Sequence, residues 1–242
     1  MSDKENFQMI SYHKMRMIVG ILGVSLPFAL LFGNLIINNL NLLNNPFLLK
    51  NCYTTYQSNG SFKDTISDYY YTTVGELFVG TLCAVAFFMF SYKGYKKRAG
   101  EFWPSDNFMV NTAGICALGV AIFPTTNNCV SDNLRTFISS QFVGYIHYGF
   151  ATLFFVSLTI VSLVNFRRTK VISEFGTKKS HKYYKFCGIG MLVSIICMAL
   201  YSFTSLKNNV FLNQIHIVFI LETLALLFFG TSWIIKGIKE ND

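Results

Sequence analysis

The chain has 242 residues, of which 52% are hydrophobic and only 13% are charged. Soluble domains usually carry about 25% charged residues, so this composition argues against a soluble globular protein. The net charge of +8 does not indicate nucleic acid, because the basic residues flank apolar segments, where they orient membrane helices and contact anionic headgroups. We therefore expect membrane lipids as partners and no nucleic acid.

Six apolar segments, most close to the roughly 20 residues that cross a bilayer, follow one another along the chain. They predict an all-α polytopic membrane bundle of six transmembrane helices, forming one domain over residues 1–242. The predicted spans are 17–37, 72–92, 108–123, 144–164, 186–203 and 215–235, with a polar loop at 38–71. The first segment is too long for a signal peptide and has no small-residue cleavage site after it, so we expect a retained helix.

The basic residues are distributed unequally between the two sides of the predicted membrane. Sixteen of the 20 Lys and Arg residues lie on one side, and the other side holds only Lys50, Lys63, Arg135 and Lys207. Cytoplasmic loops carry this excess in membrane proteins, so the pattern predicts that both termini are cytoplasmic. Cys52 and Cys129 then lie in two outward loops, where they either form a disulfide or remain free thiols.

Four ionisable residues lie inside predicted spans, all in the outer half of the membrane: Glu76, His147, His216 and Glu222. A charged side chain at mid-depth costs roughly 2.5–3.5 kcal/mol on insertion scales, so such residues are candidates for function. Asp68, Thr72 and Glu76 are spaced four apart and would share one face if the second helix begins near Ser67. His13 and His181 lie in basic segments, where we expect them to be solvated.

These polar residues leave three functions open. His147 and His216, together with Asp68 or Glu76, could hold Zn²⁺ with one position free for water, and the activated water would hydrolyse a lipid amide or ester. Alternatively, Glu76 and Glu222 could bind a cation or a proton in a transporter or sensor. In the third case the chain is a non-catalytic scaffold, and its polar groups are solvated at the interface or hydrogen-bonded between helices.

Several short segments resemble a group of uncharacterised bacterial six-span membrane proteins. These segments are SDYYYT (67–72), FVGTLC (78–83), YKGY (92–95), AGI (113–115), FPT (123–125), HY (147–148) and GTSW (230–233). The resemblance covers most of the chain from about residue 65. It implies a six-span protein of the bacterial inner (plasma) membrane.

A more distant resemblance is to the CREST superfamily of alkaline-ceramidase-like and progestin/adiponectin-receptor-like membrane hydrolases. Its members use a Ser, an Asp and three His around zinc in seven spans. The resemblance implies comparable roles for Ser67, Asp68, His147 and His216 in this chain. The sequence departs from that pattern in its six spans and in Ile220, which stands where a second histidine would follow His216 by four residues.

Overall fold

The computed structural model describes residues 3–39, 62–94, 102–126, 140–167 and 177–239. Across these ranges the chain is all-helical, as predicted. The seven α-helices are α1 (Asp3–Asn39), α2 (Gly75–Phe90), α3 (Asp106–Ile122), α4 (Ser140–Leu163), α5 (Thr177–Phe203), α6 (Val210–Gln214) and α7 (Ile217–Lys239). Short 3₁₀ turns lie at Ser67–Tyr71, Asn165–Arg167 and Ser205–Asn208. Cys52, Cys129 and most of the predicted outer loop fall outside the described residues.

Each of the six predicted apolar segments forms a helix. Four segments are long and apolar enough to cross a membrane: His13–Ile37, Phe142–Arg167, His181–Phe203 and Ile217–Ile238. Helices α2 and α3 are apolar but shorter, with 16 and 17 residues. Large apolar side chains such as Phe32, Phe87 and Phe186 are exposed on the helix surfaces. These features support a membrane protein. That the chain crosses the membrane six times remains a prediction.

Helices α1 and α7 pack closely in opposite directions through glycines. A Cβ added at Gly20 would lie 2.6 Å from the carbonyl oxygen of Gly230 and 2.7 Å from Ile234 Cγ1. Small residues allow membrane helices to approach this closely. Near the ends of the same two helices, a Cβ at Gly237 would lie 3.0 Å from the carbonyl oxygen of His13.

The bundle has two distinct ends. At the termini end, the start of α1 meets the end of α7, and Asn165 after α4 donates a hydrogen bond to Asp106 at the start of α3, with an Nδ2–Oδ1 distance of 2.7 Å. At the opposite end, residues 62–74 run across the bundle before α2 begins. We call residues 62–74 the capping segment.

Candidate functional site

The capping segment is organised by a short 3₁₀ turn at Ser67–Tyr71. The side chains of Thr65 and Asp68 bond reciprocally to each other's backbone. The Thr65 N–H donates to Asp68 Oδ2 at 3.1 Å, and the Asp68 N–H donates to Thr65 Oγ1 at 3.0 Å. This pairing fixes the start of the turn, as a capping box does at a helix N-terminus, and it orients Ser67 toward the interior.

Ser67 and His147 form a buried pair. His147 Nε2 lies 2.9 Å from Ser67 Oγ, and His147 Nδ1 lies 2.6 Å from the carbonyl oxygen of Phe123. A carbonyl can only accept, so Nδ1 carries the proton and donates to Phe123, while Nε2 accepts the Ser67 hydroxyl proton. The His147 and Ser67 side chains are 1% and 9% exposed. A serine hydroxyl that is hydrogen-bonded to an oriented imidazole is the arrangement that activates a serine nucleophile.

The capping segment contacts the start of α7 through the rings of Phe62 and Tyr69, which pack on Phe219, and through three polar contacts. Asp64 Oδ1 lies 2.7 Å from His216 Nδ1, and the Asp64 carbonyl accepts from the Phe219 N–H at 3.0 Å. Deeper in the bundle, the Ile66 N–H donates to Glu222 Oε2 at 2.5 Å. His216 has a positive φ of 51°, a left-handed conformation that places its ring beside Asp64.

A second group of contacts holds the capping segment to α3 and α4. The Tyr71 hydroxyl donates to the Thr125 carbonyl at 2.6 Å, and the Thr125 hydroxyl donates to Tyr148 Oη at 3.1 Å. Thr125 follows Phe123, whose carbonyl accepts from His147. The same stretch of chain therefore orients the imidazole and anchors the segment that carries Ser67.

The capping segment also buries a lysine and a tyrosine. Burial lowers the pKa of the Lys63 ammonium, and the charges of Asp68 and Asp64 offset part of this effect. Burial likewise raises the pKa of the Tyr69 hydroxyl to about 12. Both pKa values shift in the direction of the neutral form because burial penalises the charged form of each group.

The structure brings together only part of the predicted site. The capping segment carries Ser67 and Asp68 and contacts His147, His216 and Glu222. The predicted stripe of Asp68, Thr72 and Glu76 on one helix face is wrong, because a 3₁₀ turn ends at Tyr71 and α2 begins only at Gly75. Glu76 is exposed in the first turn of α2.

The two histidines of the predicted zinc site contact different partners. Both ring nitrogens of His147 are already engaged by Phe123 and Ser67, and His216 Nδ1 is engaged by Asp64. Across the described ranges, no group of three or more His, Cys, Asp or Glu side chains could hold a metal ion. Zinc binding by His147, His216 and Asp68 stays a prediction, whereas the contact between Ser67 and His147 is present in the structure.

Two partners of the site were not indicated by the sequence. Phe123 contributes a backbone carbonyl, which every residue type carries, so no sequence signal could identify it. Asp64 contributes a carboxylate and a carbonyl to the start of α7. Its signal was weak, because an acidic residue in a polar loop is ordinarily solvated.

Comparison with known proteins assigns the chain to a family. The family described as "Protein of unknown function (DUF998)" matches residues 54–235, which include the capping segment and helices α2 to α6 and most of α7. The chain belongs to this family. No curated protein and no solved structure matches it.

Proposed function

We propose that this member of the DUF998 family is a membrane-embedded serine hydrolase that cleaves a lipid ester or amide, with Ser67 as nucleophile and His147 as general base. The observation that carries the proposal is the 2.9 Å contact between Ser67 Oγ and His147 Nε2, in a tautomer set by the Phe123 carbonyl. Of the three functions that the sequence leaves open, the proposal takes the hydrolase, but it makes a serine the nucleophile in place of metal-bound water.

The reaction follows from the direction of the hydrogen bonds. Ser67 Oγ attacks the acyl carbonyl carbon, and its proton moves to His147 Nε2. The imidazolium then returns this proton to the departing alcohol or amine, leaving an acyl group on Ser67. Water repeats the sequence and releases the acid. The Phe123 carbonyl holds the ring orientation through both steps, as the orienting group of a catalytic triad does.

The surroundings of His147 favour a lipid substrate. Phe142, Tyr145 and Tyr148 on α4 are all exposed, and they lie within one or two turns of His147. Exposed aromatic rings at the end of a membrane helix are typical of the headgroup interface. A lipid whose ester or amide lies at this depth approaches Ser67 from the side of the bundle.

Substrate entry requires the capping segment to move. Ser67 and His147 are both buried, and the segment is held by Asp64, Ile66 and Tyr71 through the contacts described above. Opening would break these hydrogen bonds, each worth about 0.5–1.5 kcal/mol, and would expose Ile66, Tyr69 and Tyr70, which are buried in the core. We infer that the segment acts as the lid of the site, and that the cost of opening it includes the loss of this apolar burial.

We also infer the finer topology from the charge pattern. The chain crosses the bacterial inner membrane six times. The termini end lies in the cytoplasm and the capping segment outside, because 16 of the 20 Lys and Arg residues lie on the side of the termini. Fusion of alkaline phosphatase after residue 242 should give an inactive enzyme, and insertion of the enzyme within 40–61 should give an active one. The reverse result would contradict this orientation.

A fluorophosphonate probe tests the hydrolase directly. Membranes holding the parent protein should be labelled, with the adduct found on the peptide carrying Ser67. Ser67→Ala should abolish labelling, and His147→Gln should reduce it about 10²- to 10⁴-fold in rate. EDTA should leave labelling unchanged.

The matched control is Ser162→Ala. Ser162 is also buried and donates to the Tyr184 carbonyl at 2.9 Å, but it lies at the termini end, so its loss should leave labelling intact. An unlabelled but folded parent protein would refute the proposal, as would Ser67→Ala labelled to the same extent as the parent.

A second function, binding of a proton or cation, is favoured by one observation. Glu222 lies within α7, and its carboxyl bonds to the capping segment at Ile66, so a change in its charge would act directly on that segment. In proteoliposomes carrying a pH gradient, proton-coupled transport would be lost in Glu222→Gln and kept in Ser67→Ala. If the chain is the proposed hydrolase, its activity should instead be lost in Ser67→Ala and kept in Glu222→Gln.

A further inference from the structure

The connection between α5 and α7 exposes apolar side chains at the capping end of the bundle. We call residues 204–216, which include α6, the connector. Four large apolar side chains in the connector and at the end of α5 are exposed: Phe203 (89%), Leu206 (43%), Val210 (68%) and Phe211 (65%). The connector ends at His216, whose ring contacts Asp64 of the capping segment, so it lies at the end of the bundle opposite the termini.

Side-chain caps hold the two short helical turns of the connector. The Leu206 N–H donates to Thr204 Oγ1 at 3.3 Å, and the Leu212 N–H donates to Asn209 Oδ1 at 3.2 Å. Each cap supplies an acceptor for an N–H group at the start of a turn, where the helix itself offers none. The polar side chains of Thr204 and Asn209 therefore bond to the backbone, and apolar side chains are left on the surface.

Asn213 joins the parts of the connector to one another. Its Nδ2 donates to the carbonyl oxygen of Lys207 at 3.1 Å, and its Oδ1 accepts from the Tyr201 hydroxyl on α5 at 2.6 Å. These bonds link the 3₁₀ turn, α6 and the end of α5 into one unit. Backbone groups that leave water need partners within the protein, and the bonds within the connector provide several of them.

The position of the connector along the bundle matches the edge of the hydrocarbon core. Lys182 and Lys185 are exposed near the start of α5. Exposed apolar side chains then follow at spacings of three or four residues, forming one lipid-facing stripe: Phe186, Ile189, Val193, Ile196, Leu200 and Phe203. The 17 residue steps from Phe186 to Phe203 extend about 26 Å, close to the roughly 30 Å of a hydrocarbon core. The stripe therefore ends, and the connector begins, at the level where acyl chains meet headgroups.

We propose that the connector is an interfacial element that inserts Phe203, Val210 and Phe211 into the phospholipid leaflet at the capping end. Insertion removes this apolar surface from water, and it continues the lipid-facing stripe of α5 without a gap. Aromatic rings at this depth are typical of the headgroup interface. Lys207 and Asn208 stay among the headgroups, where the flexible stem of a lysine keeps its ammonium in water. The proposal does not depend on the proposed hydrolase.

Tryptophan fluorescence in a lipid bilayer tests the insertion. The full chain carrying Phe211→Trp is reconstituted in phosphatidylcholine nanodiscs, which leave both faces open to solvent. The signal of the parent protein, which comes from Trp103 and Trp233, is subtracted. The added tryptophan should emit at a shorter wavelength than free N-acetyltryptophanamide and should be quenched less by acrylamide. It should lose intensity when the lipid is brominated near the top of its acyl chains.

The matched control is Asn208→Trp, which places the same ring at an exposed polar position of the connector. This tryptophan should remain open to acrylamide and should lose less intensity to the brominated lipid. Val193→Trp, in the middle of the lipid-facing stripe of α5, is the reference for full exposure to acyl chains. It should be quenched most by lipid brominated near the end of those chains. Val210→Trp repeats the measurement at the neighbouring position if Phe211→Trp fails to fold.

Three results would overturn the proposal. If acrylamide quenches Phe211→Trp as strongly as it quenches N-acetyltryptophanamide, the connector lies in water. If neither acrylamide nor brominated lipid quenches Phe211→Trp, protein covers the connector, as a second copy of the chain would. If Asn208→Trp and Phe211→Trp lose the same intensity to brominated lipid, the apolar side chains are not the part of the connector that enters the leaflet.

Discussion

The contact between Gly20 and Gly230 makes a quantitative prediction about the pairing of α1 and α7. In Gly20→Ala the new methyl group would lie 2.6 Å from the Gly230 carbonyl oxygen and 2.9 Å from the backbone nitrogen of Ile234, whereas ordinary contacts lie at 3.4–4 Å. Backbone atoms cannot rotate away, so the helices must separate by about 1 Å. Overpacking of this kind costs roughly 1–3 kcal/mol.

Alanine also has a better helix propensity than glycine by about 1 kcal/mol, which offsets part of this cost. The net effect expected for Gly20→Ala is therefore a loss of about 0–2 kcal/mol in the free energy of unfolding. Gly20→Leu, which introduces a larger side chain, should lower the free energy of unfolding further. Denaturation by sodium dodecyl sulfate in mixed micelles, followed by tryptophan fluorescence, measures this difference.

Gly80 and Gly149 are the matched controls, because a Cβ at either position meets no atom within 4 Å. Gly80→Ala and Gly149→Ala should leave stability unchanged or raise it by up to about 1 kcal/mol. If Gly20→Ala proved as stable as Gly80→Ala, the close approach of α1 and α7 would be wrong.

Three further predictions concern the capping segment. At the positive φ of His216, His216→Val should unfold more easily than His216→Gly by at least about 1 kcal/mol, measured by thermal melting; equal stability would contradict the left-handed conformation. Burial lowers the Lys63 pKa, so at neutral pH the protonated lysine lowers the free energy of unfolding. This penalty decreases as the pH rises above the pKa of Lys63 in the folded state, and it is gone above the pKa in the unfolded state. Lys63→Met should therefore raise the melting temperature at pH 7, and its advantage should shrink toward pH 10.5, the ordinary lysine value. Finally, Glu222→Leu leaves the Ile66 N–H without its acceptor, at a cost of about 1–3 kcal/mol, whereas Glu222→Gln keeps an acceptor. Trypsin should therefore cut after Lys63 faster in Glu222→Leu than in Glu222→Gln. Equal rates of cutting would show that this hydrogen bond does not hold the segment.

The helices could be predicted because lipid burial imposes long apolar runs, and each of the six runs is helical in the structure. The residue at which α2 begins could not be predicted in this way. Placing Asp68 and Glu76 on one helix assumed regular helix from Ser67, but the bonds between Thr65 and Asp68 close a 3₁₀ turn, and α2 starts at Gly75. Local side-chain bonds of this kind compete with helix formation, and periodicity does not detect them.

The candidate site was predictable as a set of residues but not as a geometry. Ser67 and His147 are 80 positions apart in the sequence. Ser67 was a candidate because of the CREST resemblance, and His147 was a candidate because it is an imidazole within a predicted span. Their pairing depends on the tautomer that the Phe123 carbonyl selects. His13 was expected to be solvated, and this was wrong, since α1 and α7 pack so closely that its side chain is buried with Arg16 and Lys236.

The shortness of α2 and α3 has a consequence for the surrounding lipid. At 1.5 Å per residue, helices of 16 and 17 residues extend only about 24–26 Å, less than the roughly 30 Å of a typical hydrocarbon core. If both helices cross the bilayer as we propose, hydrophobic mismatch thins the membrane locally. Ester and amide linkages would then sink toward Ser67, and the protein should gather where acyl chains are short.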